Sequence, residues 1–599
     1  MSNNKEILDI AIIGAGAAGT YAAWRFAKDS NYDVNKIKLF DFLKIDGKAH
    51  VGGRLWSTHL PGLGYTRKAE IGGMRFLTSQ TIVTNIIPEL DFTSVPFDVD
   101  SKYNLFNLRN KVLRTDEITD PNKVPFELAP LEKGMSPGAL LLYAVESIVP
   151  NAPYLTDEEW DDVKKNFKVN GLNLYQHGFW NLLQLVLSEE GYQYVYSGQG
   201  YNTIPSNWNA ADAIEWILED FGADVSYRYL KEGYQELPKR LQTRSEEGGI
   251  EFVKNMKLLR WEKDAEDQKI IKLTFENTKD KKEETIYAKK LVLATPRKSL
   301  ELIDMPQIKD MPEMEPFYNE LVPSVEPQPM FKFFLGYKYP WWRTMGMSSG
   351  RTITDNPLRQ IYYWGANYQK FFDEAPEKTG GAKNDPQNSV LMVYLDGRDV
   401  SFWQPLFELI DLHKKMLDVK SEDDFDVLKV QSLDLSNLME EITNSLALPE
   451  AELLEMNDTR LKNSITEHLL ESEVGRKFYR IKQKKDAIDN VINTISTLLM
   501  RAHGIGFIPD PYTFAYADWT ADPFGGAYNL WKPGFKSWEV TKKMIKPIKG
   551  SEVYVIGEAY SLKQGWVEGA FETAEQMLET YFGLDKPTWL PNTKSYKIE

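Results

Sequence analysis

Apolar residues near the start of the chain follow first a strand pattern and then a helical one. Residues 8–13 (LDIAII) form a short apolar run, and residues 20–27 (TYAAWRFA) keep helical spacing. Between them lies the glycine-rich stretch 14–19 (GAGAAG), and a second apolar run at 36–40 ends in Asp41. The pattern predicts a strand, a tight turn, a helix and a second strand closed by an acid.

The middle of the chain separates into a helical part and a strand-rich part. Residues 136–223 carry apolar positions at three- and four-residue spacing, which predicts a helical insertion. Apolar runs at 290–294, 330–336, 360–364 and 389–395 predict strands. The last three of these runs are expected in a second, mostly antiparallel sheet.

The remaining third combines charged helices with a returning strand. Residues 401–504 are charged and leucine-bearing, which predicts a helical insertion with helices at 425–441 and 481–502. Rings and glycines concentrate at 516–528, which indicates a loop close to a site. Residues 552–581 predict a strand followed by an amphipathic helix.

The glycine-rich turn predicts a dinucleotide site. Gly14 suits the tight turn, Gly16 the close approach of backbone to a pyrophosphate, and Gly19 the packing of helix on strand. Asp41 follows about 20 residues later, where a carboxylate holds a ribose hydroxyl. An acid there, instead of an arginine, favours an unphosphorylated ribose. The alternative is an ordinary glycine-rich turn, but the ordered set of elements favours the nucleotide.

Composition narrows the class of protein. A chain of 599 residues is expected to fold as two or three domains. The net charge of −16 and the lack of a basic arm argue against a nucleic-acid partner, and no apolar run is long enough to span a bilayer. Without cysteine there are no disulfides, thiol chemistry or cysteinyl cofactor links, so redox work needs a bound organic cofactor. With no signal-peptide pattern, a cytoplasmic location is expected, although other export routes stay open.

Two loops pair glycines with an arginine. The first loop contains Gly53 followed by Arg54, and the second contains Gly73 followed by Met74 and Arg75. Paired glycines let main chain lie against a flat or anionic ligand, and an arginine adds a planar cationic fork. Either loop alone also fits an ordinary surface turn.

The stretches GFWNLL at 178–183 and NWNAADA at 207–213 resemble bacterial members of the flavin amine oxidase superfamily that are grouped with tryptophan oxidases and monooxygenases. Five motifs in order resemble the same superfamily and, within it, the L-amino acid oxidases. They are GAGAAG with Asp41, GGR at 52–54, EIGGMRF at 70–76, LVLATP at 291–296 and GEAYSLKQGWVEGA at 557–570. The resemblance implies an α/β fold with a discontinuous Rossmann-like FAD-binding domain, an α+β substrate domain with a mostly antiparallel sheet, and a helical insertion.

Domain limits follow from placing the segments on that plan. The FAD-binding domain is expected at 1–78, 236–300 and 545–585. The substrate-binding domain is expected at 79–135, 301–400 and 505–544. Residues 136–235 form the helical domain, and 401–504 form a charged insertion longer than the family plan suggests.

The resemblance also implies non-covalent FAD and a set of residues that hold it. These cofactor-binding residues are Gly14, Gly16, Ala18, Gly19, Asp41, Gly53, Arg54, Gly73, Met74, Arg75, Val253, Glu558, Gly565, Trp566 and Val567. Within this set, Val253 is expected to contact adenine through its backbone and Glu558 to bind on the ribityl side. A helix N-terminus at Val567 would stabilise negative charge on the reduced flavin.

Substrate residues are assigned in the same way. Arg75 resembles the arginine that pairs with a substrate carboxylate, Tyr394 resembles the tyrosine that supports it, and Lys332 resembles the lysine that holds a water at the flavin. Gly565 and Trp566 are expected at the substrate amine. Arg75, Tyr394, Lys332 and Trp566 make up the expected catalytic set.

Several of these assignments have structural alternatives. Tyr362 is expected to line the substrate pocket, but it and Tyr394 would also fit as buried sheet aromatics, and Lys332 would also fit as a solvent-facing strand residue. His59, His177 and His503 are not spaced as metal ligands, so no metal is expected, and His177 is a weak candidate for the site entrance.

The resemblance implies an L-amino acid oxidase that forms a 2-oxo acid, ammonia and hydrogen peroxide with dioxygen, as a homodimer. Asp396 and Asp518 would favour a cationic side chain, whereas an excess of rings favours an aromatic or broad substrate range; these rings are Trp364, Trp519, Phe524, Tyr528 and Trp566. The alternatives are an amino acid monooxygenase that forms an amide, a primary amine oxidase, and a flavin-binding regulatory protein without turnover.

Overall fold

Two seven-stranded sheets organise the molecule. The computed structural model describes residues 6–45, 48–60, 68–221, 226–366, 388–416, 473–591 and 595–598. The helix predicted at 425–441 lies outside these residues. Across the described ranges, no helix combines the length and apolar character needed to cross a bilayer.

The first sheet contains the predicted nucleotide-binding strands. Its order is Glu251–Lys254, Ile37–Asp41, Ile7–Ile13, Glu283–Leu293, Ile271–Asn277 and Met256–Lys263, and Val553–Val555 pairs with Glu283–Leu293. Ile7–Ile13 runs parallel to both of its neighbours. Val553–Val555 also pairs in parallel, so segments from both ends of the chain share one sheet. The predicted Rossmann-like fold with a discontinuous sheet is confirmed.

The second sheet is mostly antiparallel, as predicted. Its order is Lys111–Arg114, Leu105–Leu108, Arg351–Thr354, Gln360–Ala366, Ser389–Asp396, Met330–Tyr337 and Thr513–Asp518. Only the pairing of Arg351–Thr354 with Leu105–Leu108 is parallel among these strands. The prediction of a loop at 516–528 is wrong at its start, because Tyr516 and Asp518 lie in the strand Thr513–Asp518. The glycines that suggested a loop, Gly525 and Gly526, lie beyond the end of this strand.

Helices cover the sheets and fill the predicted insertion. In chain order they span Ala17–Lys28, Thr81–Glu89, Pro137–Ile148, Asp157–Asn166, Phe179–Val186, Glu189–Gly198, Ala210–Phe221, Glu236–Glu247, Arg297–Leu302, Val400–Met416, Glu473–His503, Ser537–Ile545 and Val567–Tyr581. Five of them fall within 136–223, so the helical character of that stretch is confirmed. The exact domain limits stay a prediction.

The second sheet has two different faces. Phe331, Phe333 and Leu335 pack against Trp403 and Leu499, which come from the two described helices of the charged insertion. The alternate residues of the same strand, among them Lys332, point to the other face, where the central cavity lies. The ends of the insertion therefore cover a sheet face and supply core residues.

A buried ion pair joins the first and last long helices. Arg25 of Ala17–Lys28 pairs with Glu575 of Val567–Tyr581, and the Tyr21 hydroxyl donates to the same carboxylate at 2.5 Å. The carboxylate of Glu575 is fully buried and the guanidinium is nearly so. Removing one partner of such a pair leaves an uncompensated buried charge.

We predict that Arg25→Met destabilises the protein by about 3–5 kcal/mol, the usual cost of breaking a buried pair. The apparent melting temperature, followed by intrinsic fluorescence, should fall by several degrees. Lys28→Met on the same helix is the matched control, because the Lys28–Glu89 pair is half-exposed and such pairs contribute little. Equal losses in the two variants would contradict the assignment.

Candidate cofactor and substrate site

The glycine-rich turn forms an open cradle at the end of the first strand. Gly14 has a φ of +104°, and a Cβ atom there would lie 2.6 Å from the carbonyl oxygen of Ala294. A Cβ atom on Gly19 would lie 1.9 Å from the Gly14 carbonyl oxygen, so this glycine lets the helix pack on the turn. Gly16 precedes the helix, receives no side-chain cap and has open space beside it. The helix N-terminus is therefore free to accept an anion.

Asp41 lies beside this cradle. Its buried carboxylate accepts hydrogen bonds from the backbone N–H groups of Ala15, Phe42 and Leu43 at 2.6, 2.6 and 2.9 Å. Burial raises the pKa of Asp41, and these three donors lower it. A carboxylate offers about four acceptor positions, so one remains for a ribose hydroxyl.

Arg54 and Glu558 meet across the site. Their side chains form an ion pair with an N–O distance of 2.9 Å, and Arg54 also donates to the carbonyl of Ala527. Glu558 accepts from the backbone N–H groups of Asn529 and Gly565, each at 2.9 Å. Arg54 and Glu558, both predicted to bind the cofactor, thus bond to each other and tie the first glycine–arginine loop to the C-terminal one.

Lys332 lies inside the protein, so its solvent-facing alternative is wrong. Its ammonium donates to the carbonyls of Gly72 and Glu70 and lies 4.9 Å from the ring centre of Tyr394, its register partner on the next strand. Burial lowers the pKa of Lys332 to about 7, against the opposing effect of the Glu70 carboxylate. Burial also raises the pKa of Glu70 to about 7.

Arg75 is held by aromatic residues. Its guanidinium donates to the hydroxyls of Tyr201 and Tyr362 at 3.1 and 3.3 Å, and it lies 4.1 Å from the ring centre of Tyr227. Arg75 is 8% exposed and lines the cavity. Within the described ranges no carboxylate comes within ion-pair distance of it; Asp220 acts on it from farther away. A buried guanidinium in this state is suited to an incoming carboxylate.

The C-terminal loop completes the wall. Gly565 has a φ of +84°, and Trp566 precedes the helix Val567–Tyr581 without a side-chain cap. Glu568 in the first turn accepts from the N–H groups of Ile82 and Val83, each at 2.8 Å. Its carboxylate is thus committed to a second helix, Thr81–Glu89.

These elements enclose one cavity of about 490 Å³. The predicted residues that line it are Gly14, Gly16, Ala18, Asp41, Gly53, Arg54, Gly73, Met74, Arg75, Lys332, Tyr394, Glu558, Gly565, Trp566 and Val567. Three predicted residues are not among the lining residues. Gly19 packs behind the cradle, Tyr362 contacts Arg75 from behind, and Val253 packs against the apolar core beneath the sheet.

Sequence reasoning missed part of the lining. Tyr201, Thr203, Trp216 and Asp220 reach the cavity from the helical insertion. The Asp220 carboxylate accepts from the Tyr227 hydroxyl at 2.6 Å. No motif marks these residues, and the only local signal is Gly200, whose φ of +80° shapes the turn before Tyr201.

Of the acids and rings weighed for specificity, Trp519, Phe524 and Tyr528 line the cavity, whereas Trp364, Asp396 and Asp518 do not. His177 bonds to the carbonyl of Val169 away from the cavity. Within the described part of the chain, no three histidine or acidic side chains form a group able to hold a metal ion.

The cavity fits a flavin nucleotide by its own chemistry. Two helix N-termini without side-chain caps face it, at Gly16 and at Trp566. The hydroxyls of Thr295 and Tyr234, both on lining residues, have no hydrogen-bond partner among the described residues. Free N–H groups and unpartnered hydroxyls are the donors that phosphates and a polar ring edge require.

Comparison with known proteins defines the family. Residues 45–411, more than half of the chain, match the family described as flavin containing amine oxidoreductase. The chain therefore belongs to this family of flavoenzymes and is a flavin oxidoreductase.

The individual relatives have low sequence identity to this chain, but the similarity extends over most of each chain. Aplysianin-A of Aplysia kurodai is 25% identical over 96% of this chain and 90% of the relative. Achacin of Lissachatina fulica is 22% identical over 96% and 93%, and an L-amino-acid oxidase of Crotalus adamanteus is 23% identical over 68% and 69%. A solved putrescine oxidase variant shares the fold, with a TM-score of 0.55 at 14% identity over 94% of this chain and 97% of that one.

We predict that Gly14→Ala yields a protein that retains less than about a tenth of the bound flavin, because the new methyl group meets the Ala294 carbonyl in a turn built for positive φ. The ratio of flavin to protein absorbance measures the effect. Gly550→Ala is the matched control, since Gly550 has a φ of +71° but open space around it. Full flavin content in Gly14→Ala would contradict the assigned cradle.

Proposed function

We propose that this protein is an FAD-dependent L-amino acid oxidase that forms a 2-oxo acid, ammonia and hydrogen peroxide. The proposal is carried by Arg75, whose buried guanidinium lines the cavity. No carboxylate of the described residues lies within ion-pair distance of this guanidinium. Simple amines offer nothing to pair with this charge, whereas an α-amino acid offers its carboxylate. The named activity of the Crotalus relative agrees with this choice.

FAD is favoured over a mononucleotide by the reach of the cavity. One end holds Gly14 and Asp41, which suit a pyrophosphate and an adenosine ribose, and the other end holds Arg75 and Lys332. A mononucleotide would leave the first end empty. Non-covalent binding is proposed because the chain has no cysteine to form a thioether.

The protein groups would bind and orient the substrate. Arg75 pairs with the carboxylate through its two-pronged fork, and Tyr394 lies on the same cavity wall as Lys332. The Gly565 carbonyl and the Trp566 ring are proposed to face the neutral amine. The flavin, when bound, supplies the two-electron oxidation and passes the electrons to dioxygen. Because the amine enters deprotonated, positioning carries most of the rate and no strong base is required.

An aromatic or broad substrate range is proposed from the lining. Trp216, Trp519, Phe524 and Tyr528 give the cavity apolar walls. Asp396 and Asp518 do not reach it, which removes the argument for a cationic side chain that rested on them. Asp220 is a lining acid whose pKa is raised by burial, and Arg75 opposes that shift from beyond ion-pair distance. The homodimer and the cytoplasmic location stay predictions.

We predict that anaerobic addition of an L-amino acid bleaches the flavin absorbance of the purified protein. Different amino acids, added one at a time, should give different bleaching rates, with aromatic ones among the fastest. In air, the products should be hydrogen peroxide and the 2-oxo acid. Amide and carbon dioxide would identify a monooxygenase, and no bleaching by any amino acid would refute turnover.

We predict that Arg75→Ala lowers kcat/KM for L-amino acids about 10- to 100-fold, the value of a lost charge-assisted hydrogen-bond pair. Most of the change should be in KM, and a carboxylate-free amine should be affected far less. Arg75→Lys should recover only part of the loss, since lysine lacks the planar fork. Arg109→Ala, a half-exposed arginine paired with Glu190, serves as control. Equal losses for amino acids and amines would remove the role of Arg75.

A further inference from the structure

Asp396 is a buried acid that the proposed chemistry does not use. It ends the strand that carries Tyr394 and is completely buried. Its carboxylate accepts from the backbone N–H groups of Asn202 and Thr203 at 2.8 and 3.3 Å, and from the Thr203 hydroxyl at 2.5 Å. The Tyr528 hydroxyl lies 3.4 Å away and also bonds to the Thr203 hydroxyl. Asp396 therefore sits where three separate segments meet.

Each of these segments carries a ring to the substrate end of the cavity. The loop held through Asn202 carries Tyr201, which accepts from Arg75 and packs edge-on against Tyr394 with ring centres 5.5 Å apart. Tyr528 lies beside Gly565, where a Cβ atom would be 3.8 Å from its ring. The three tyrosines line the cavity, although Asp396 itself does not.

The contacts require a carboxylate and not merely a polar side chain. Both oxygens of Asp396 accept hydrogen bonds from donors, and Asn202 returns a bond from its side-chain amide to the Asp396 carbonyl at 2.6 Å. An asparagine would turn one NH₂ group toward N–H or O–H donors and leave buried groups unpaired. Among the described residues no cation lies within ion-pair distance of Asp396, although Arg359 acts on it from farther away. Burying a charge in this way is costly, and it is tolerated only where the surrounding donors are fixed.

We propose that Asp396 is a positioning residue that fixes Tyr201, Tyr394 and Tyr528 around the substrate end, and that it acts on carboxylate binding through Tyr201 and Arg75. The proposal rests on the proposed oxidase function. Asp396 thus helps to place the substrate. From the sequence, it had been considered as a residue that recognises a cationic substrate side chain.

The test compares Asp396→Asn with the wild type. We expect KM for the fastest L-amino acid to rise about five- to tenfold, the effect of about one lost buried hydrogen bond, while kcat changes less than twofold. The dissociation constant of benzoate, measured by titration calorimetry on the flavin-loaded protein, should rise by a similar factor without any turnover. KM for a carboxylate-free amine should not change.

Three further variants keep the test decisive. Thr203→Val and Tyr528→Phe each remove one hydroxyl of the network. Both variants should raise KM and the dissociation constant of benzoate, by a smaller factor than Asp396→Asn. They test the proposal even if Asp396→Asn fails to fold. Asp518→Asn is the matched control, because Asp518 ends a strand of the same sheet but bonds to Gln404 and Thr520 instead.

The outcomes separate the two proposals. A wild type that no L-amino acid bleaches refutes the oxidase function but leaves the benzoate comparison valid. Unchanged benzoate affinity in Asp396→Asn and in both hydroxyl variants overturns the role of Asp396, and so does a wild type that does not bind benzoate. Equal KM increases for amino acids and amines overturn it as well.

Discussion

The parallel pairing of the first strand with its two neighbours is the constraint on which the site depends. Parallel strands place their carboxyl ends on one edge of a sheet, so Gly14, Asp41 and Ala294 come together there. Val553–Val555 joins the same edge from the far end of the chain and is followed, after Ile556, by Gly557 and Glu558. The nucleotide cradle and the C-terminal wall of the cavity thus arise from a single hydrogen-bonding pattern.

The second sheet contributes through its alternation. Every other residue of Met330–Tyr337 is committed to the helices that cover one face, so Lys332 is placed on the cavity face beside Tyr394. Burial on that face makes the Lys332 ammonium less costly to deprotonate than a surface lysine. The sheet therefore sets the position of Lys332, and burial at that position lowers its pKa.

Local sequence patterns were sufficient to predict those parts of the site whose residues lie close together in the chain. The cradle, Asp41 and the two glycine–arginine loops follow from spacing and backbone needs, and residues of each of them line the cavity. Contacts between distant residues could not be predicted in this way. Tyr201 meets Arg75 across 126 positions, and Tyr362 meets it across 287. Nothing in the local sequence distinguishes Tyr201 from an ordinary core aromatic. Tyr362 was marked only by the family resemblance, which did not predict its contact with Arg75.

The pairing of the first and last long helices has a consequence for biosynthesis. Arg25 and Glu575 are 550 positions apart, and the cradle helix lacks its partner until Glu575 has been made. At about 5–20 residues per second, a ribosome needs about half a minute to two minutes to supply that partner. Until then the glycine-rich turn has no closed cavity around it. Loading of the nucleotide is therefore expected after translation, and the newly made N-terminal segment must stay soluble while it waits.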